Sequence, residues 1–214
     1  MKILHALGLL LAVFCTSANA ANHVVKVEES WELSVGEPND SRNAPQVTMA
    51  MSPSESLNSD YFVYELNHKT QPNYSAGGMQ VQRWFNDKHE STYQGPQTAE
   101  LSTTGEVVSW TQSLSVENGK VTFDVIDGQS QTWGSFGNAS HLRATAVTGQ
   151  QNLDSYRANI SISESGIGYA GNRVASLILK RIRWTMDDGK TYELNAPIDI
   201  DTDLDPWNVE EEDE

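Results

Sequence analysis

Residues 166 to 171, Gly-Ile-Gly-Tyr-Ala-Gly, match the G-x-G-x-x-G spacing in which a strand turns tightly into a helix whose free N–H groups hold a dinucleotide pyrophosphate. That chemistry needs a helix after the third glycine. Beyond Gly171 come Asn172-Arg173-Val174 and a run through Ile178, Ile182 and Trp184 that leads straight to Asp188-Gly189. This is the pattern of a strand entering a hairpin, so no nucleotide site is expected. The glycines are read as a loop between strands that brings Tyr169, Asn172 and Arg173 to a surface.

Carboxylates offer two further chemistries. A glycoside hydrolase needs an acid and a nucleophile on one face of a strand with their pKa values driven apart by burial. Asp124 and Asp127 are three apart and fall on opposite faces. Asp199, Asp201, Asp203 and Asp205 share a face, but in a solvated stretch that cannot separate their pKa values. Read as a twelve-residue calcium loop, the same four acids take positions 1, 3, 5 and 7 and Glu210 takes position 12. Leu204 stands where the sharp-turn glycine belongs, and Pro206 stiffens position 8. These five residues are the candidate metal ligands, for calcium, and no other cofactor is expected.

Histidines and hydroxyls give less. His23, His68, His89 and His141 lack the i, i+4 spacing of a zinc hydrolase, and no G-x-S-x-G elbow is present. In Tyr-Glu-Leu-Asn-His, strand alternation puts Glu65 and Asn67 on one face and His68 on the other, which separates a would-be acid and base. No catalytic constellation is found, and the protein is not expected to be an enzyme.

Aromatic residues in polar surroundings point elsewhere. Among six tryptophans, Trp133 stands out beside Phe136 in Gly-Gln-Ser-Gln-Thr-Trp-Gly-Ser-Phe-Gly-Asn. A pyranose offers an apolar C–H face to a ring and hydroxyls to amides, so this composition suits sugar binding. Trp133 also suits capping the sandwich core, the commoner place for a tryptophan. Trp110 and Trp184 read as core or cross-strand pairs. The candidate ligand contacts are Trp133, Tyr169 and Asn172.

Short runs of period two, separated by turn residues, must position these groups, and no helical stripe persists over three turns. About ten strands are expected, among them Val24 to Val35, Lys120 to Ile126, Arg157 to Ser163 and Arg173 to Met186. Asn118-Gly119, Asp127-Gly128 and Asp188-Gly189 are expected to turn hairpins, because each dipeptide accepts the positive φ of a type I′ turn. Val121, Phe123 and Val125 alternate with Thr122 and Asp124, the pattern of an antiparallel sheet buried on one face. The fold expected is an all-β antiparallel β-sandwich, jelly-roll or Ig-like, with a closed barrel second.

The ends of the chain set its compartment. Lys2, an apolar Ile3 to Phe14 and the Ala18-Asn19-Ala20 cleavage pattern make residues 1–20 a signal peptide cut near Ala20. The apolar run is shorter than the roughly 20 residues a membrane span needs, so no membrane span is expected. The protein is expected to be secreted, extracellular or periplasmic. Cys15, the only cysteine, lies in that leader, and Phe14 before it does not suit a lipoprotein signal. Residues 21–198 are then a single β-sandwich domain. The last sixteen residues, 199–214, hold nine acids and no base and are read as a disordered acidic tail. A formal net charge of −15 disfavours nucleic acid as a partner. The leading expectation is a secreted, non-catalytic module that binds an extracellular glycan or surface partner. The alternatives are a structural matrix component with a cation-binding tail, and a glycoside hydrolase. Oligomeric state is not legible.

Overall fold

A computed structural model describes residues 22–37, 44–68, 77–170, 173–195 and 197–200, with the backbone alone described at Tyr169. The antiparallel sandwich is the architecture found. Strand β1 (Val24–Val35) shows why: Val27, Glu29, Trp31, Leu33 and Val35 are all buried on one face, and Glu28, Ser30, Glu32 and Ser34 alternate with them on the opposite face. It lies at the centre of the larger sheet, between β6 (Val107–Glu117) and β11 (Val174–Met186). Beyond β6 comes β7 (Lys120–Ser130), whose far edge pairs with two short strands, β8 (Gly134–Phe136) and β9 (Arg143–Val147). The far edge of β11 likewise takes β12 (Thr191–Leu194) and β13 (Ile198–Asp199).

The second sheet has five strands in the order β10, β2, β3, β4, β5, comprising Gly166–Tyr169, Gln46–Met51, Asp60–Leu66, Met79–Phe85 and Lys88–Gln94. From β2 to β5 the chain simply meanders, and β10 arrives later to complete one edge. Val47 and Met49 of β2, Phe62 and Tyr64 of β3, and Met79 and Val81 of β4 fill the gap between the sheets. There Phe62 stacks on Phe123 of β7, centroids 5.8 Å apart, and Trp31 stacks on Trp110 at 6.4 Å and 6°. Tyr64 meets the Trp110 ring edge-on at 6.1 Å, tying the two sheets at the same level.

Several local expectations are corrected. Asn118 and Gly119 do form the two-residue turn, with φ of 51° and 72°. Asp127-Gly128, however, lies within β7, where a bulge against β6 shifts the register between Thr111 and Gln112. Gly128 is needed there for approach rather than for turning, since a Cβ on it would meet the Phe136 ring at 2.1 Å. At the β11–β12 hairpin only Gly189 has positive φ, 83°, and the loop is three residues long. Residues 158–163, expected in a strand, form the short helix α1 (Ala158–Ser163); its alternating isoleucines are too short a run to fix a period. Gly166 to Tyr169, expected in a loop, pair with β2 as β10. The sheet also reaches into the stretch read as tail: Ile200 is buried and donates its N–H to Leu177 O at 2.7 Å.

Among the described residues no helix is long and apolar enough to cross a membrane. Residues 1–20, expected to be a signal peptide, and residues 201–214 of the expected acidic tail 199–214 lie outside the described residues.

Candidate functional site

The outer face of the five-stranded sheet is built from the residues that alternate with its core positions. On β4 these are Gln80, Gln82 and Trp84, interleaved with the buried Met79 and Val81. On β5, Gln94 stands opposite Gln80, Thr92 opposite Gln82, and His89 opposite Trp84 across a register shift. The two strands join through Asn86-Asp87, both at positive φ (55° and 57°), a two-residue turn of the kind that keeps such a register fixed. These six side chains and His68 line an open concavity of about 660 Å³.

One carboxylate organises the floor. Glu65 of β3 accepts hydrogen bonds from Gln46 Nε2 at 3.3 Å and Gln82 Nε2 at 3.2 Å, and from Gln80 Nε2. Gln80 in turn accepts from Gln94 Nε2 at 3.0 Å, and Gln82 accepts from the indole N–H of Trp84 at 2.8 Å. Every bond of this network therefore runs inward to Glu65, and Trp84 is left offering its ring rather than its N–H. Burial pushes the Glu65 carboxyl above its ordinary pKa, against the downward pull of Gln80 and Gln46. Burial likewise pushes the His68 imidazole down. Trp84 is braced by Tyr61 of β3, stacked at 6.1 Å and 14°, and by the edge of the His89 ring at 5.4 Å. His89 Nε2 is paired with Thr92 Oγ1 at 2.6 Å.

The arrangement corrects the reading of Glu65 and His68 as residues on opposite faces. The strand ends at Leu66, and Asn67 turns to φ 53°, where its side chain is buried on Pro45 O and on Leu101 N and O. With the alternation broken, His68 comes to line the same concavity whose glutamines Glu65 holds.

The sequence candidates are placed differently. Trp133 sits in the turn between β7 and β8, half-buried against the core, with Phe136 edge-on at 6.3 Å. Its indole N–H is taken by Ala99 O at 2.8 Å. Tyr169 closes β10, the edge strand of the five-stranded sheet at the far side from β4 and β5, and Asn172 lies outside the described residues. Arg173, expected at a surface, is 1% exposed and donates to the carbonyls of Gly36 and Ser102 and to Thr104 Oγ1. Asp199 of the calcium set accepts from the backbone N–H of Leu177 at 3.2 Å. Asp201, Asp203, Asp205 and Glu210 lie outside the described residues. Asp124 forms an ion pair with Arg143.

No protein-family model matches the chain, and no curated protein matches it. The chemistry of the concavity is thus the guide to what the protein does. A braced indole face beside amides and imidazoles offers apolar contact and hydrogen bonds at once, which is what a sugar ring requires. The signal missed in the sequence was Gln80-Val81-Gln82-Arg83-Trp84, where the indole shares a face with two amides. The loop around Trp133 stands out for its glycines instead.

Proposed function

We propose that this protein is an exported, non-catalytic binding module that holds a glycan on the outer face of its five-stranded sheet. The observation that carries the reading is Trp84, half-buried in a concavity of about 660 Å³ otherwise lined by glutamine, histidine and threonine. The side chains around it are fixed before any ligand arrives, by the bonds that run from Gln94 and Trp84 through Gln80 and Gln82 to Glu65. Such preorganisation lowers the ordering cost of binding. Trp133, Tyr169 and Asn172 are the contacts expected from sequence alone; the indole N–H of Trp133 is already spent on Ala99.

The test is a screen of soluble polysaccharides by affinity electrophoresis, run with calcium and with chelator. Retardation that survives chelation and disappears in Trp84→Ala, while Trp133→Ala retains it, supports the proposal. Binding lost in Trp133→Ala and kept in Trp84→Ala moves the site to the β7–β8 turn. Binding seen only with calcium moves attention to Asp199 through Glu210. If no polysaccharide retards the protein, the glycan reading fails. A structural role in the cell exterior then takes its place, favoured by the exposed Tyr192, Leu194 and Ile198 at the edge of the larger sheet.

A further inference from the structure

We infer that the concavity takes a neutral glycan and rejects chains bearing carboxylate or sulfate, and that Glu65, without touching the ligand, sets this selectivity. The inference deepens the glycan reading above and rests on it. Two observations carry it: the direction of the hydrogen bonds, and the charges around them.

An ionised carboxylate only accepts hydrogen bonds. Three amides that share one carboxylate must each turn an NH2 group towards it, as Gln46, Gln80 and Gln82 do. Their carbonyl oxygens are thereby turned away, and those of Gln80 and Gln82 are met by the next donors out, Gln94 Nε2 and Trp84 Nε1. At the outer end of the chain the exposed Gln94 has its NH2 turned inward and its carbonyl oxygen left for a ligand. A ligand rich in O–H groups can donate to that oxygen. A carboxylate or sulfate cannot donate and meets it as a second acceptor.

Charge acts in the same direction. Among the described residues no lysine or arginine lines the concavity, and the nearest described arginine on β4, Arg83, points to the other side and is bound to Asp60 through Nε at 2.9 Å and Nη2 at 2.7 Å. Burial keeps the lining His68 towards its neutral form. An anionic sugar would therefore enter above a partly buried acid with no described lysine or arginine beside it, on a protein whose formal net charge is −15. Specificity of this kind comes from repulsion of the wrong ligand as much as attraction of the right one.

The experiment compares neutral and anionic probes by affinity electrophoresis: xyloglucan, galactomannan and β-1,4-galactan against polygalacturonate and alginate. The expected result is retardation by at least one neutral polymer, at least tenfold weaker or absent with both anionic ones. In Glu65→Gln the acid is gone and one amide is free to reverse, so the neutral-to-anionic ratio should fall by about tenfold. A purely structural role for Glu65 would weaken both classes together and leave the ratio where it was. A second variant, Thr92→Lys, places a cation at an exposed lining position and should give measurable retardation by polygalacturonate. Should the unaltered protein bind an anionic polymer as well as any neutral one, lost in Trp84→Ala, the glycan reading stands and this inference is overturned. No retardation by any polymer overturns both. A ratio unchanged in both Glu65→Gln and Thr92→Lys removes Glu65 and the charge argument as its cause.

Discussion

The hydroxyl of Tyr156 donates to Oε1 of Glu29 at 2.6 Å between the two sheets, and Glu29 is wholly buried. Oε2 of the same carboxyl accepts from Trp31 Nε1 and Gln112 Nε2, each at 3.0 Å. Burial is the larger influence and pushes the Glu29 carboxyl above its ordinary pKa, while the hydrogen bonds pull it down. Tyr156 is pushed well up by burial and stays a donor throughout the range. A carboxyl raised on folding contributes stability that is complete below its unfolded pKa and is lost as pH rises through the folded one. Glu29→Gln should therefore flatten the stability profile above about pH 4.5 and raise the urea midpoint at neutral pH. A lower midpoint for the variant at pH 7 would show the ionised carboxylate to be net stabilising.

Gly128 and Phe136 make a second test, because the ring lies directly over the glycine. Gly128→Ala puts a methyl group 2.1 Å from Phe136 Cε2, and overpacking of this kind costs about 1–3 kcal/mol. In a Phe136→Ala background the clash is gone and the same change should cost almost nothing. Thermal melts of the four proteins give the coupling directly; additive losses would place the strain elsewhere.

That pair also shows where the sequence was legible. Alternation placed β1 and β11 correctly, because long strands buried on one face leave many residues in phase. It failed for Asp127-Gly128, since a dipeptide that suits a turn also suits a bulge, and only Phe136 across the strand decides between them. Strand β5 is polar at nearly every position and was invisible; its pairing with β4, rather than any core residue, makes it a strand. The candidate site was lost for the same reason, half of it lying on that strand. Glu65 and His68 are both conspicuous in the sequence, yet an unbroken alternation separates them, and only the turn at Asn67 brings them back together.

Arg173 gives a prediction about a buried cation. Its guanidinium joins the segment after β1, at Gly36, to the loop residues Ser102 and Thr104. Arg173→Met would leave carbonyls unpaired in a closed site and should cost at least about 2 kcal/mol in chemical denaturation. Arg173→Lys should recover little of this, because a single ammonium cannot span acceptors placed for a planar fork. Full recovery by lysine would reduce the role to charge alone.

The tryptophans should divide cleanly between stability and binding. Trp110 is 2% exposed, stacked on Trp31 and met by Tyr64, so Trp110→Ala opens a cavity that neighbours from two sheets cannot fill. Its loss should cost about 3–5 kcal/mol. Trp84 is half-buried on the outer face, where removal exposes Tyr61 and frees Gln82 to water without emptying the core. Trp84→Ala should cost about 1 kcal/mol and still abolish retardation by polysaccharide. Acrylamide quenching gives an independent measure: the Trp84→Ala protein should lose a quenchable share of its emission, and a ligand should protect that share in the unaltered protein. Binding that fell only in proportion to stability across the two variants would mean that the Trp84 ring holds the sheet together rather than a ligand.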